Sequence, residues 1–286
     1  MYFYYQNNKN ARTTGNTKDI QPGSNRAILT LGNGQKLILD NKATGLLAQQ
    51  GNIEIRKTAD GQIVYNIRGK SGNSLVTNTI ETQNGGQYQI NLPDGTKVWL
   101  NAASLLKYPT SFAAHERRVE LKGEAYFEVT KNQKKPFKVA LNNGSEIKVF
   151  GTCFNVNAYE GEESINATLV EGAIAMHSGL QTEKIAPGQQ AQVFSNHRIN
   201  VVNHVNLDQV LAWKNGFFSV GTLSLQDMMK QVERWYNVKV IYKDHVQADF
   251  VAKIPRNTPL SELLKLLEYT KQVHFKLEGK TLYVMN

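Results

Sequence analysis

Short segments that alternate between polar and apolar residues constrain the fold of this chain most strongly. They follow one another between Gln87 and Asn203, separated by Gly or Pro turns, at intervals of about 8 to 12 residues. Because successive side chains of a strand point to opposite faces of a sheet, each segment is typical of a half-buried strand. The spacing predicts an all-β sandwich, barrel or solenoid. The predicted strands are 87–91, 97–100, 118–122, 125–129, 137–141, 146–150, 153–159, 165–170, 173–177, 191–194 and 198–202.

The residues around this series are more polar. Residues 1–26 are polar after an aromatic start, YFYY, which is far shorter than the ~20 apolar residues that a membrane-spanning helix needs. Residues 66–84 are also polar and predict a loop, whereas residues 102–106 predict one turn of helix. We expect a linker over residues 1–26 and an all-β domain over residues 27–205.

After residue 206 the apolar residues recur at helical spacing instead. A capping signal at Ser224 comes before an apolar stripe at Leu225, Met228, Met229 and Val232. Strand-like segments flank this helix, and the whole pattern is repeated 35 positions later, which predicts a small α+β domain of two βαβ-type units over residues 209–286. The equivalent apolar positions of the repeat are Leu260, Leu263, Leu264 and Leu267.

Individual residues of this second region carry further expectations. Thr258 is a good N-cap and Pro259 suits the first helical position, so the second helix is predicted to begin there. The helical spacing of Met228 and Trp235 predicts that they pack in a core. Trp213, at the junction with the strand region, is expected to be exposed or to lie between two domains.

The sequence contains no pattern typical of catalysis or of metal binding. Its single cysteine, Cys153, excludes an intrachain disulfide and is expected to be a small, inert strand residue. The six histidines show neither i, i+4 pairing nor a nearby cysteine, so the spacing of a metal site is missing. Glu120 and Glu124 could meet in one cleft, but turn and surface roles are expected for them. We therefore predict no enzyme activity and no cofactor.

The positive charge of the chain is distributed rather than clustered. The net charge is +9, but the longest basic runs are pairs, Arg117-Arg118 and Lys134-Lys135, without aromatic residues interleaved among clustered arginines. A nucleic-acid surface normally concentrates its basic residues on one face or along one element. The charge therefore indicates a generally basic surface and no nucleic-acid partner.

Several motifs occur in a fixed order between residues 27 and 286. The first two are LPDGTKVWLNAASLLKYP at 92–109 and VELKGEAYFEV at 119–129. They are followed by FGTCFNVNAY at 150–159, LVEG at 169–172, APGQQ at 186–190 and AWKNGFF at 212–218. Together they closely resemble the FecR family of transmembrane signalling regulators (anti-sigma factors), in the form common in Bacteroidetes. The last region resembles the short N-terminal domain of secretins and TonB-dependent receptors.

The resemblance implies a function, a location and two partners. It implies a periplasmic sensor part, tethered to the inner membrane by an N-terminal helix that is absent from this chain. Such a part senses the state of a TonB-dependent (SusC-like) outer-membrane receptor. It relays that state to an extracytoplasmic-function sigma factor through a cytoplasmic segment, also absent here. The mechanism is protein–protein contact, so no catalytic site is required.

We expect the receptor to bind the edge strands of the C-terminal region. Small sheets leave edges whose free N–H and C=O groups can pair with a strand from a partner. The resemblance agrees, because the C-terminal region of the family meets the signalling domain of the receptor. The expected edges are residues 217–220 and 281–284, and the expected contacts are Phe217, Phe218, Val220, Thr281 and Tyr283.

One covalent event is also implied by the resemblance. Some family members cleave themselves at a Gly-Thr pair that corresponds to Gly151-Thr152 here. A Thr hydroxyl can attack the preceding carbonyl carbon if strain twists the peptide bond. The alternative, an ordinary strand start, stays open at this point.

A second class of function also stays open. The strand region could be a carbohydrate-binding or carbohydrate-active periplasmic β-domain. Paired carboxylates with perturbed pKa values in a cleft would favour the enzyme, and an exposed aromatic platform would favour the binding module.

Overall fold

A computed structural model describes residues 19–40, 44–50, 53–59, 63–67, 76–220, 224–246, 248 and 252–286. The aromatic start and most of the predicted linker lie outside the described residues. The chain forms two compact units. We call Ser24–Lys214 the strand unit, and Asn215–Asn286 with the described residues 19–23 the terminal unit.

The strand unit consists of short strands joined by tight turns, as the alternating pattern predicts. In chain order, its elements are β1 (Ser24–Asn25), β2 (Ala27–Thr30), β3 (Lys36–Leu39), β4 (Gly45–Gln50), β5 (Ile53–Lys57), β6 (Ile63–Ile67), β7 (Thr77–Thr82), β8 (Gly86–Asn91), β9 (Lys97–Leu100), β10 (Ser104–Pro109), β11 (Arg117–Glu128), β12 (Phe137–Leu141), β13 (Glu146–Val149), β14 (Cys153–Ala158), β15 (Ser164–Glu171), β16 (Ile174–Ser178), β17 (Gln181–Ile185), β18 (Gln190–Phe194), β19 (Ile199–Val202) and the short helix α1 (Leu207–Val210).

The strands form two layers that share one strand. The first layer runs β3-β2-β7-β10-β11-β12-β13-β16-β17, and the second runs β4-β5-β6-β8-β9-β11-β14-β15-β18-β19. Most neighbours are antiparallel, and β11 with β12 is a parallel pair. The N-terminal half of β11 belongs to the first layer and its C-terminal half to the second. A strand that changes sheets in this way needs a bend.

Gly123 provides that bend in β11. Its φ is +82°, a conformation that L-residues with a side chain rarely adopt. The backbone of the neighbouring strand also approaches it closely, since a Cβ at this position would lie 2.7 Å from the main-chain oxygen of Ala103 and 2.5 Å from Oγ of Ser104. Glycine is therefore required here both for its conformation and for its size.

One hydrophobic core fills the space between the two layers, and aromatic residues lie at its centre. Phe127 of the second layer stacks on Phe154 at a centroid distance of 5.0 Å and meets Phe137 of the first layer at 6.2 Å. All three rings are fully buried, and burial of a phenylalanine ring stabilises a fold by about 1.5–3 kcal/mol. The alternation seen in the sequence places these rings on the inner faces.

Three details of the sequence prediction are wrong. Residues 102–106 do not form a helical turn, because β10 begins at Ser104 and is held between β7 and β11. Part of the expected loop over residues 66–84 is β7, a strand inside the first layer. The two strands predicted on either side of Gly123 are one continuous strand.

The terminal unit contains two helices and two small sheets. Its elements are β20 (Phe217–Val220), α2 (Leu225–Tyr236), β21 (Lys239–Tyr242), β22 (Ala252–Pro255), α3 (Leu260–Glu268), β23 (His274–Glu278) and β24 (Thr281–Met285). The order strand–helix–strand occurs twice, so the predicted mainly β chain with a small α+β region is confirmed. The two strands of each repeat lie in different sheets: β20 pairs with β22, whereas β21, β24 and β23 form the other sheet.

The helices of the terminal unit bury the faces that the sequence predicts. The four apolar positions of α2 and their four counterparts in α3 are all buried. Ser224 is the N-cap of α2, and its side chain accepts a hydrogen bond from the main-chain N–H of Asp227. Met228 and Trp235 lie in the core as expected.

Candidate functional site

The edge strands of the terminal unit decide where a partner strand could add. Thr281–Met285, or β24, is paired on both sides, in parallel with β21 and antiparallel with β23. Its main-chain N–H and C=O groups therefore bond to these two neighbouring strands and not to a partner. The expectation that residues 281–284 form an edge is wrong, because the sequence predicts strands but not their order in a sheet. The edges of this sheet are β21 and β23.

Both of these edges are covered by a glutamate from the preceding helix. Glu233 of α2 accepts the outward main-chain N–H of Val240 in β21 at 3.1 Å. Glu268 of α3 accepts the outward N–H of Phe275 in β23 at 2.7 Å. Each carboxylate occupies a donor that an incoming strand would need.

The sequence carried a signal for this covering that the repeat analysis missed. Glu233 and Glu268 are 35 positions apart, and so are the strand residues that they bind, Val240 and Phe275. The repeat therefore duplicates the covering carboxylate together with the apolar helix face.

The β20–β22 sheet has one protected edge. The main-chain N–H of Arg256 donates to the oxygen of Gly216 at 2.9 Å, which fixes the direction of every group in this antiparallel pair. Lys253 and Pro255 of β22 consequently point their main-chain groups outward. Pro255 has no N–H to offer, and proline on an edge strand discourages addition of another strand.

The opposite edge, β20, remains available. By the same pattern, the N–H and C=O groups of Phe217 and Ser219 point away from β22. Among the described residues, β20 pairs only with β22. Neither a carboxylate nor a proline covers these groups in that part of the chain. Among the four sheet edges formed by the described residues of the terminal unit, β20 is therefore the one suited to accept a strand.

The side chains of β20 serve two different purposes. Phe218 is fully buried and stacks on Tyr236 at a centroid distance of 6.1 Å. Phe217 is half-buried on the opposite face, with the ammonium of Lys253 4.5 Å from its ring centroid. Phe217 can therefore contact a partner directly, whereas Phe218 fixes the strand in the core. The side chain of Val220 lies outside the described residues.

The other two expected contact residues lie on the outer face of the three-stranded sheet. Thr281 and Tyr283 are half-buried, and Lys243 lies 4.8 Å from the ring centroid of Tyr283. They can be touched from that face, but they cannot receive a partner strand.

A buried polar network occupies the motif residues of the strand unit. The carboxylate of Glu124 accepts hydrogen bonds from the side-chain amides of Asn101 at 2.8 Å and Asn155 at 3.0 Å. The indole N–H of Trp213 donates to Asn155 Oδ1 at 3.2 Å. Trp213 is only 5% exposed, so of the two alternatives expected for it, exposed or between two domains, exposure is wrong. The hydrogen-bonding partner that buries it comes from a distant strand, which sequence spacing cannot indicate.

The residue after Trp213 completes this anchor. The ammonium of Lys214 lies 4.5 Å from the ring centroid of Trp99, 4.4 Å from that of Tyr126 and 3.8 Å from a carboxylate oxygen of Glu128. Trp99 is half-buried beneath it. The last residues of the strand unit are therefore fixed to it by a hydrogen bond, an ion pair and two cation–π contacts.

Gly151 and Thr152 lie in a bend directly before β14. Gly151 has φ +149°, and a Cβ there would lie 2.7 Å from Cα of Lys131, so glycine is required. Thr152 is buried, and its hydroxyl donates to the main-chain oxygen of Ala173 at 3.1 Å.

Comparison with known families identifies both units. The description "FecR protein" matches residues 78–175, and the description "FecR, C-terminal" matches residues 218–284. The chain belongs to the FecR family. The first match includes Asn101, Glu124 and Asn155 of the buried network, and the second covers residues 218–284 of the terminal unit. No curated protein matches this FecR-family chain.

Two solved structures are similar to this FecR-family protein. Both are of a protein of Parabacteroides distasonis ATCC 8503 that is provisionally named an anti-sigma factor. The structure at 1.65 Å resolution is 28% identical, covers 72% of this chain and 97% of its own, and gives a TM-score of 0.65. The structure at 2.50 Å resolution is 27% identical, covers 73% of this chain and 99% of its own, and gives a TM-score of 0.66.

The features that would favour a carbohydrate-active domain are not found where the sequence suggested them. Glu120 is exposed and pairs with Lys107 at 3.1 Å, whereas Glu124 is buried in the network described above. These two carboxylates therefore do not share a cleft. Within the described ranges, no group of three or more His, Cys, Asp or Glu could hold a metal ion. None of the described helices is long and apolar enough to span a membrane.

Cys153 is a strand residue, as the sequence analysis expects. It is half-buried at the start of β14. Burial raises the pKa of its thiol, and the carboxylates of Glu128 and Glu171 raise it further. The reactive thiolate is therefore disfavoured.

The surroundings of Thr152 lead to a prediction about self-cleavage. Attack on the Gly151 carbonyl carbon requires a base to accept the hydroxyl proton, and the oxygen of Ala173 that receives it is not basic. We expect the purified FecR-family chain to keep its intact mass of 32.1 kDa during long incubation, as measured by mass spectrometry. Two fragments divided between Gly151 and Thr152, which disappear in Thr152→Ala, would contradict this and establish self-cleavage.

Proposed function

We propose that this FecR-family protein is the periplasmic sensor part of an anti-sigma factor. It reports the state of a TonB-dependent, SusC-like outer-membrane receptor to an extracytoplasmic-function sigma factor by protein–protein contact. In this proposal the protein is tethered to the inner membrane and reaches the sigma factor through a cytoplasmic segment. The two functional modules are the FecR-type domain, residues 27–205, and the C-terminal signalling domain, residues 209–286. The family match and the similarity to a provisionally named anti-sigma factor support this proposal.

The single observation that carries the contact mechanism is the uncovered edge of β20. An incoming strand from the periplasmic signalling domain of the receptor pairs with the outward main-chain groups of Phe217 and Ser219. These bonds provide affinity for any extended segment. Phe217 and Lys253 add selectivity, because a ring beside an ammonium favours a partner strand with an apolar residue and an acidic residue on that face.

The remaining candidate contacts follow from this geometry. Thr281 and Tyr283 lie on the outer face of the neighbouring sheet and can extend the contact beyond the added strand. Phe218 holds β20 against the core and acts on the partner only through the position of β20.

A hydrogen-exchange footprint tests the proposal. The full chain is titrated with the purified periplasmic signalling domain of a candidate SusC-like receptor from the same organism, and amide exchange is followed by mass spectrometry. We expect saturable binding, with slower exchange concentrated in β20 and in adjacent parts of the terminal unit. A footprint confined to the strand unit would show that the interface lies on that unit, and it would contradict the assignment to the terminal unit. The absence of binding would remove the receptor from the proposal.

A further inference from the structure

The second long helix of the terminal unit, α3, has no N-cap side chain of its own. Its N-cap residue is Pro259, which makes no side-chain capping hydrogen bond. The expectation that Thr258 would be the N-cap is wrong. The main-chain groups of Thr258 make two other hydrogen bonds. Its oxygen accepts from the hydroxyl of Tyr236 at 2.7 Å, and its N–H donates to the main-chain oxygen of Pro255 at 3.2 Å. The first N–H groups of α3 must therefore find other acceptors.

Those acceptors come from the N-terminal end of the described chain. The main-chain oxygen of Ile20 accepts the N–H of Leu260 at 3.0 Å. The carboxylate of Asp19 accepts the N–H of Ser261 at 3.2 Å and its hydroxyl at 2.7 Å. An aspartate at this position also interacts favourably with the positive end of the helix dipole. Asp19 thus performs the capping role from a position 242 residues earlier in the chain.

This contact changes how the two units are connected along the chain. Residues 19–23 belong to the terminal unit, the chain then builds the whole strand unit, and it returns to the terminal unit at Asn215. The strand unit is therefore inserted between two segments of the terminal unit. Whatever lies N-terminal to Asp19 is attached to the terminal unit before the strand unit begins.

A chain of contacts inside the terminal unit joins this cap to the β20 edge. Phe218 of β20 stacks on the ring of Tyr236, and the Tyr236 hydroxyl donates to Thr258, directly before α3. Burial raises the pKa of Tyr236; the nearby guanidinium of Arg256 opposes this rise, and the carboxylate of Asp19 adds to it. The Tyr236 hydroxyl therefore lies within electrostatic reach of the Asp19 cap.

We propose that Asp19 and Ile20 form a latch that fastens the N-terminal segment of the chain to α3 of the terminal unit. The latch reports occupation of the β20 edge to that segment through Phe218 and Tyr236, without passing through the strand unit. The reporting role rests on the proposed function, whereas the latch itself does not. The latch is an element with two states, fastened and released, as a transmitted signal requires.

The latch is tested first in the full chain alone, by amide exchange. Asp19→Ala should speed exchange of the Leu260 and Ser261 amides roughly tenfold, the effect expected for loss of a helix N-cap. Ser224→Ala, which removes the cap of α2, is the matched control and should speed exchange at the start of α2 only. Unchanged protection of α3 in Asp19→Ala would overturn the latch.

A double-mutant cycle separates the specific contact from general loosening. Ser261→Ala removes the side-chain hydroxyl that Asp19 accepts, so its effect on exchange should be smaller in the Asp19→Ala background than in the native chain. Fully additive effects of the two substitutions would show that the two residues act separately and would contradict the latch.

The reporting role is tested with the same receptor signalling domain used above. Its binding should change the exchange rate of residues 19–23 in the native chain. In Tyr236→Phe, which lacks the hydroxyl bond to Thr258, the domain should still bind but the change at residues 19–23 should be lost. Binding without any change at residues 19–23 in the native chain would refute the reporting role. A failure to bind at all would refute the proposed function and leave the latch to the first two tests.

Discussion

Asp94→Ala is expected to lower the free energy of unfolding of the strand unit by about 3–5 kcal/mol, the cost of leaving one member of a buried ion pair alone. Asp94 lies in the turn between β8 and β9, and its carboxylate pairs with the guanidinium of Arg117 at 2.8 Å. The Arg117 side chain is only 2% exposed. Its other bonds go to the main-chain oxygens of Thr130 and Lys135, which do not neutralise its charge. Urea unfolding followed by circular dichroism measures the loss.

Two controls isolate the buried charge as the cause. Asp94→Asn retains an oxygen that can accept the Thr96 N–H and so preserve the turn, but it removes the charge; we expect it to lose most of the same stability. Glu120→Ala removes an exposed ion pair from the same strand as Arg117 and should cost less than about 1 kcal/mol. Equal, small losses for Asp94→Ala and Glu120→Ala would contradict a structural role for the buried pair.

Gly123→Ala should destabilise the strand unit by about 3 kcal/mol or more. Roughly 1–2 kcal/mol comes from forcing a residue with a side chain into the left-handed region, and roughly 1–3 kcal/mol comes from overpacking. The overpacking arises because the new methyl group would meet the backbone of Ala103 and Ser104, which the sheet holds in place. The same urea titration measures this effect.

Gly161→Ala is the matched control for this substitution. Gly161 has the same φ, +82°, but a Cβ there would meet no atom within 4 Å. It should therefore show only the conformational cost, about 1–2 kcal/mol. If the two substitutions cost the same, the close approach at the bend of β11 does not limit the residue at position 123.

The sequence predicted those parts of the fold that depend on local pattern. Alternation of polar and apolar residues predicts strands with one buried face, and apolar stripes at helical spacing predict the helices α2 and α3. The helical turn predicted over residues 102–106 was wrong because Ala and Leu are good helix residues. Pairing with β7 and β11 makes the segment from Ser104 onward a strand. The exposed strand β17 was missed because four of its five residues face solvent and show no alternation.

The candidate site depended on facts that no local pattern contains. Strand order decided that β24 is central and that β20 is an edge. The cap of α3 comes from Asp19, far away in sequence, so the local rule chose Thr258 instead. The covering glutamates could have been found, because Glu233 and Glu268 obey the 35-residue repeat, but their role becomes visible only when the strand edges are known.

These features together describe how a small domain can keep its sheets separate while leaving one edge for recognition. On the other three edges that the described residues form, one outward donor is occupied by Glu233, occupied by Glu268 or missing at Pro255. Exposed edges otherwise favour aggregation, so leaving β20 uncovered indicates a purpose for that strand. The latch at Asp19 then gives this edge a route to the segment that, in our proposal, leads towards the membrane.

The most direct test of this account compares two proline substitutions on different edges. Ser219→Pro removes an outward N–H from β20 without touching its pairing with β22, and Leu277→Pro removes an outward N–H from the edge strand β23. Affinity for the receptor signalling domain is measured by isothermal titration calorimetry, with circular dichroism confirming that both variants are folded. We predict that Ser219→Pro weakens binding roughly tenfold or more, the loss of about one main-chain hydrogen bond, and that Leu277→Pro leaves it unchanged. Unchanged affinity in Ser219→Pro, or a loss confined to Leu277→Pro, would contradict the assignment of β20 as the partner edge.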